Sequence, residues 1–237
     1  MFEQLKRWFA GAPKATVAGI DEVQHWAERR RYAANEVPGE EGGIVVTGRL
    51  GADAFRLEWG PSSRTYVEGY ELRLRADLSF GGDLQLLVLN RSLQEAMERA
   101  VFEQYVDGVQ TRIDNQTPPE MRWLVMFPKL SGSELGSLRE GFAAVGSHKP
   151  WLQAWLEGPL TTALAGQGLP KEQPVVLMLS RKGLQLRTQM STPEERALEA
   201  WLKLFDAAMR EARRVHEQGV NSVQPSSTSA WGDDGKT

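Results

Sequence analysis

The densest run of chemically capable side chains in this 237-residue chain is RLEWGPSSRTYVEGYELRLRADL, Arg56 to Leu78. It holds Arg56, Arg64, Arg73 and Arg75, Tyr66 and Tyr70, and Glu58, Glu68 and Glu71 around the turn Gly60-Pro61-Ser62-Ser63. Guanidinium groups beside hydroxyls can grip an anion, and two neighbouring carboxylates can run acid–base catalysis. Read as one strand from Tyr66 to Leu78, the stretch puts Glu68 on the face of Tyr70, Leu72 and Leu74, and Glu71 on the other face with Arg73 and Arg75. Those two glutamates then cannot form a close pair. Glu68, a charge on the apolar side, needs a partner, which Arg64 or a tyrosine hydroxyl can supply. The candidate ligand-binding residues are therefore Arg64, Glu68, Ser62 and Ser63. Arg49, Arg56, Arg73 and Arg75 share a charged, solvent-facing side with Glu58 and Glu71, where cross-strand pairing accounts for them.

Other chemistry is sparse, and no residue is assigned a catalytic role. The chain has no cysteine, which removes disulfides, thiolate metal sites and cysteine nucleophiles. His25, His148 and His216 lie far apart, so no metal site and no cofactor are expected. Phosphate-binding glycine loops, zinc-protease, calcium-loop and kinase signatures are absent. LSGSELGS, Leu130–Ser137, lacks the elbow pattern of a serine hydrolase. A net charge of −3 argues against nucleic acid as a partner. In the polar C-terminal segment, Trp231 beside Asp233 and Asp234 is the candidate partner-binding motif.

The elements that must position these residues follow from periodicity and turn chemistry. Residues 1–13 read as a short helix with Phe2, Leu5 and Phe9 on one side, packed on the body; membrane-surface contact by residues 1–11 is the less favoured use. No transmembrane segment is expected. Thr16–Ala34 reads as a helix, with Arg29, Arg30 and Arg31 at its C-terminal end where cations suit the dipole. Asn35–Gly43 reads as a loop. Ile44–Leu50, Ala54–Trp59, Tyr66–Leu78 and Leu84–Asn90 read as an antiparallel meander. A helix follows from Ser92, with Glu95 completing a capping box. Met121–Phe127 reads as a strand, Ser133–Val145 and Pro150–Ala165 as helices, and Val175–Ser180 with Leu184–Met190 as a hairpin. A last helix is expected from Thr192-Pro193-Glu194-Glu195, its stripe running from Leu198 to Val215.

Leu84–Tyr105 and Leu184–Phe205 align without gaps, sharing Leu-Gln-Leu and matched cap positions, which suggests a pseudo-two-fold repeat. The expected class is α+β, with antiparallel sheet packed under helices. The organisation reads as a helix at 1–13, halves at 14–110 and 111–217, and a disordered tail at 218–237. With no catalytic signature and eight tryptophans, the first functional expectation is a non-enzymatic interaction or adaptor protein with a protein partner, in the cytoplasm. The alternatives are a module binding a small anion at the first hairpin, and an enzyme with carboxylate chemistry that has no short signature.

Overall fold

The computed structural model describes residues 17–38, 42–78, 80, 83–106, 117–166 and 173–219. Helix α1 (Val17–Arg29) leads into strands β1 (Ala33–Glu36), β2 (Ile44–Leu50), β3 (Asp53–Pro61), β4 (Tyr70–Ala76) and β5 (Gln85–Asn90). Then come α2 (Arg91–Val106), α3 (Pro119–Met126), the single turn α4 (Gly132–Leu135), a 3-10 turn at Gly136–Leu138, and β6 (Phe142–Gly146). Helices α5 (Lys149–Leu156) and α6 (Pro159–Ala165), strands β7 (Val175–Ser180) and β8 (Gly183–Gln189), and α7 (Glu195–Glu217) complete the order. The strands form one eight-stranded antiparallel sheet, β1-β2-β3-β4-β8-β7-β5-β6, so the class is α+β.

The two faces of the sheet are covered differently. One face, carrying Val46, Leu57, Trp59, Leu72, Leu74, Leu177 and Leu186, lies under α1, α5, α6 and α7 in a single large core. The stripe Leu198, Trp201, Leu202, Phe205, Met209, Ala212 and Val215 of α7 is buried throughout. Each large side chain so buried contributes roughly 1.5–3 kcal/mol. The indole N–H groups of Trp59 and Trp155 donate to the carbonyls of Met190 (2.8 Å) and Ala208 (3.0 Å), so their burial leaves no donor unmet. Arg29 and Arg30 pair with Glu195 and Glu199, tying the basic end of α1 to α7. On the opposite face α2 and α3 cover only the β7-β5-β6 end, packing Leu93, Met97, Trp123 and Leu124 on Leu87, Leu89, Val176 and Met178.

Several elements differ from their sequence reading. Helix α1 stops at Arg29; Arg31 turns left-handed (φ 57°), and Ala33–Glu36 pairs with β2 instead of continuing the helix. Met121–Phe127 is not a strand: Pro118-Pro119 starts α3, where a proline at the first position sacrifices no hydrogen bond. The capping box that starts the next helix is Ser131 with Glu134, but it sustains only one turn, and Phe142–Gly146 is a strand. Pro150–Ala165 is two helices broken at Gly158-Pro159. Helix α2 begins at Arg91, and α7 begins at Glu195, after Thr192 and with no side-chain cap.

The meander covers β1 to β4 only, because β4 takes β8 as its next neighbour and β5 lies beyond β7. That placement inserts a strand of the 14–110 half between two strands of the 111–217 half. The strand-then-helix order of β5–α2 recurs in β8–α7, but α2 and α7 lie on opposite faces of the sheet and β4 is not the hairpin partner of β5. Residues 1–13 and the motif Trp231, Asp233 and Asp234 lie outside the described residues.

Gly183 fixes the β7–β8 turn against the chain leaving β4. Its φ is +93°, and a Cβ there would sit 2.0 Å from the Ala76 carbonyl oxygen. Both features reject a side chain. Gly183→Ala is expected to lose roughly 3 kcal/mol or more, read from the urea midpoint. A loss under about 0.5 kcal/mol would mean that the Ala76-Asp77 backbone does not close on the turn.

Candidate functional site

On the face that α2 and α3 leave partly open, register sets charged residues side by side. Glu58 of β3, Arg73 of β4 and Arg187 of β8 form one row; Arg56, Arg75 and Gln185 form the next; Gly60, Glu71 and Gln189 a third. Like charges therefore neighbour one another across strands, an arrangement that opposes the sheet unless carboxylates intervene. Glu58 does so on β3, pairing with Arg56 (2.5 Å) and Arg73 (2.8 Å). These arginines hold the Glu58 carboxyl below its ordinary range although burial alone would raise it.

Glu71 intervenes deeper in. Its carboxylate accepts from Arg187 at 2.9 Å, and the two side chains are 0% and 3% exposed. Ser62 Oγ lies 3.3 Å from the other Glu71 oxygen and accepts the Arg64 backbone N–H at 3.0 Å. Burial pushes the Glu71 carboxyl above the usual range, with Arg187 and Arg73 opposing that shift. Beside it, Glu120 in the first turn of α3 is fully buried and accepts from both Arg64 Nε and the Tyr66 hydroxyl at 2.6 Å. Burial, and then the neighbouring Glu120, push the Tyr66 phenol far up, so it stays protonated and donates.

Arg64 and Arg187 line a cleft of 570 Å³ between this sheet face and α3. Arg75, Arg122, Arg181 and Lys182 line it too, against a single acidic residue among those described, Asp83. Trp123, Met126 and Met178 form its apolar wall, with Gln185 among its polar lining. Three buried donors of this lining, Arg122 Nε, Arg187 Nε and Gln185 Nε2, have no hydrogen-bond partner among the described residues. A buried donor left unmet costs about 1–3 kcal/mol. Neither Glu71 nor Glu120 lines the cleft: each stands behind an arginine and fixes it. Among the described residues, a slightly larger hollow of 620 Å³ at the start of α7 has only Glu194 and Arg196 as charged lining and gathers no comparable cluster.

The sequence-predicted residues are distributed around this centre. Arg64 lines the cleft, and Ser62 organises the loop that carries it. Ser63 is exposed in that loop. Glu68 is exposed as well, because β4 begins only at Tyr70 and Glu68 lies in the loop before it, away from the apolar side of any strand. The carboxylate paired with Arg64 and a tyrosine hydroxyl is Glu120. Arg122 and Arg187 carried no functional expectation in the sequence, Arg122 because its segment read as a strand. The alternation of Arg187 with Leu184 and Leu186 could have placed it on the same face as Arg73 and Arg75.

His148 caps α5, accepting the Trp151 N–H at 3.1 Å, and His216 stacks on Phe80 with centroids 4.6 Å apart. Among the described residues, no group of three or more His, Cys, Asp or Glu could hold a metal ion, and no helix is long and apolar enough to cross a membrane. Comparison with protein-family models, with curated proteins and with solved structures finds no match to this chain.

Removing Arg187 exposes how Glu71 is held. A carboxyl whose folded-state pKa is raised costs stability above that value and releases the cost as pH falls through it. Arg187→Met withdraws the charge that opposes the rise, so it is expected to lose about 3–5 kcal/mol near neutral pH. The deficit should narrow as pH falls from the raised value toward the ordinary carboxylate range, read from melting temperatures of both proteins between about pH 7.5 and about pH 5. A deficit that stays constant over that range would mean that Glu71 does not titrate in it.

Proposed function

We propose that the protein binds a small anionic ligand in the cleft between β4, β8 and α3. The observation that carries this reading is the concentration of five arginines and a lysine on one 570 Å³ cleft in a chain whose net charge is −3. Surface cations on such a chain are ordinarily interspersed with acids, and their convergence around buried unmet donors favours a ligand that supplies both charge and acceptors. Carboxylate catalysis finds less support, because the two desolvated glutamates face arginines and not the cleft. The absence of cysteine supports a reducing, cytoplasmic setting for this binding.

A protein-interaction role is the second reading. The tryptophans do not favour it: Trp26, Trp59, Trp123, Trp151, Trp155 and Trp201 are all buried. What favours it is Phe102 of α2 and Met126 of α3, which are 67% and 65% exposed. A partner captured by the wild-type chain and lost in Phe102→Ser would support that role; capture indifferent to the substitution would count against it.

For the anion, inorganic phosphate is the simplest probe. At roughly 100 times its dissociation constant, a ligand that binds only the folded state stabilises by about 2.7 kcal/mol, visible as a raised melting temperature. Arg122→Gln, which removes an arginine with no ion pair among the described residues, is expected to weaken phosphate binding about tenfold or more. Phosphate that fails to stabilise the protein, or stabilises Arg122→Gln equally, would overturn the reading.

A further inference from the structure

We infer that the ligand of this cleft carries at least two phosphoryl groups, bound at opposite ends of it. The inference rests on the anion-binding reading and adds the arrangement of the cations.

Those cations fall into two groups. At one end stand Arg64, Arg122 and Arg187. The Arg187 guanidinium is drawn to Glu71, which sits opposite Gln189, and thus away from the β7–β8 turn. Arg64 is held by Glu120 in the first turn of α3, the same turn that carries Arg122. At the other end stand Arg181 and Lys182 in the β7–β8 turn, with Arg75 beside Gln185. From Arg187 to Gly183 the strand advances about 13 Å at ~3.3 Å per residue.

In the first group Arg64 and Arg187 are held in place by buried carboxylates, while Arg181 and Lys182 are exposed at the rim. A phosphoryl oxygen accepts hydrogen bonds over about 3 Å, so one phosphoryl group held at the α3 end by Arg64 and Arg122 leaves Arg181 and Lys182 at the turn end to a second. A second, linked group converts their engagement into an intramolecular event and strengthens binding accordingly.

The aromatic content of the cleft points the same way. Trp123 lines it but is 9% exposed and packs in the second core with Leu87 and Leu89, so it offers little ring face for a base or sugar to stack on. Recognition falls on the anionic groups themselves. Arginine is suited to this, because its planar fork meets two phosphoryl oxygens at once.

The test is calorimetric titration of the whole chain with orthophosphate, pyrophosphate and tripolyphosphate at about 0.15 M salt, where interactions beyond ~8 Å are screened. Tripolyphosphate is expected to bind at least about tenfold more tightly than orthophosphate. The double variant Arg181→Gln/Lys182→Gln, altered only at exposed turn positions, should erase that gain, bringing tripolyphosphate to within about twofold of orthophosphate in the same variant. Arg210→Gln, an exposed arginine on α7, should change neither.

Equal affinity for the three probes, or a tripolyphosphate gain that survives the double variant, would overturn the two-ended arrangement and leave the anion-binding reading standing. Absence of binding by all three would overturn both. Should Arg122→Gln prove unfolded by circular dichroism, Lys182→Gln alone supplies the comparison, since its side chain is exposed. Retention of the full tripolyphosphate gain in that variant would then count against the proposal.

Discussion

The cleft depends on a charge pair within the sheet that hydrophobic burial alone would not select. Arg187 and Glu71 lie in adjacent strands with almost no exposure, and Arg73 stands beside Arg187 in register. Taking both charges out of water costs several kcal/mol per ion, and their attraction offsets that cost only with good geometry. An apolar pair of the same volume would hold β4 to β8 at least as well. Stability is therefore a weak reason for the pair. A stronger one is its effect on the neighbouring hollow, where a guanidinium is held in one position with its Nε unpaired.

The location of that hollow follows from topology. Strands β5, β6 and β7 are almost entirely buried, in keeping with their continuous apolar sequences. Strands β3 and β4 alternate, apolar toward the large core and charged on the other face. The order β4-β8-β7 puts these two kinds of strand on either side of β8. Helices α2 and α3 can bury only the apolar kind, so their cover stops near β7 and β8. A chemical boundary then runs along β8, apolar toward Met178 and Trp123 and cationic toward Arg75. A cleft with one apolar wall and one basic wall is the geometric result.

Much of this was legible in the sequence wherever period and turn chemistry agreed. The alternation in Arg56–Leu78 placed Arg73 and Arg75 on the face they occupy, and the stripe of α7 was readable to its last residue. Alternation could not foresee that Glu71, on the nominally solvent-facing side, would be buried, because its burial depends on Arg187, 116 residues away. The need for a carboxylate partnered by Arg64 or by a tyrosine hydroxyl was legible too, but was attached to Glu68. Glu120 is the residue concerned, and it lies directly ahead of a segment that read as a strand. A short apolar run such as Met121–Phe127 carries no period that separates strand from helix, and only the proline pair ahead of it favoured the helix.

The difference between a solvated basic face and a binding cleft lies in what has been done to the arginines beforehand. A free arginine side chain loses up to about 2 kcal/mol of rotamer entropy when a ligand fixes it. Arg64 and Arg187 have already lost that freedom to Glu120 and Glu71, which stand behind them and do not line the cleft. Such an arrangement lowers the ordering cost left for the binding step. It also keeps these acids off the cleft wall, so the field in the cleft is set by Arg75, Arg122, Arg181 and Lys182 with little local opposition. Arg56 is the contrast on the same sheet: its own side chain is half exposed, so its charge is answered by Glu58 where water already reaches the guanidinium and screens it. Two arginines on one face thus serve different ends according to which side the carboxylate takes.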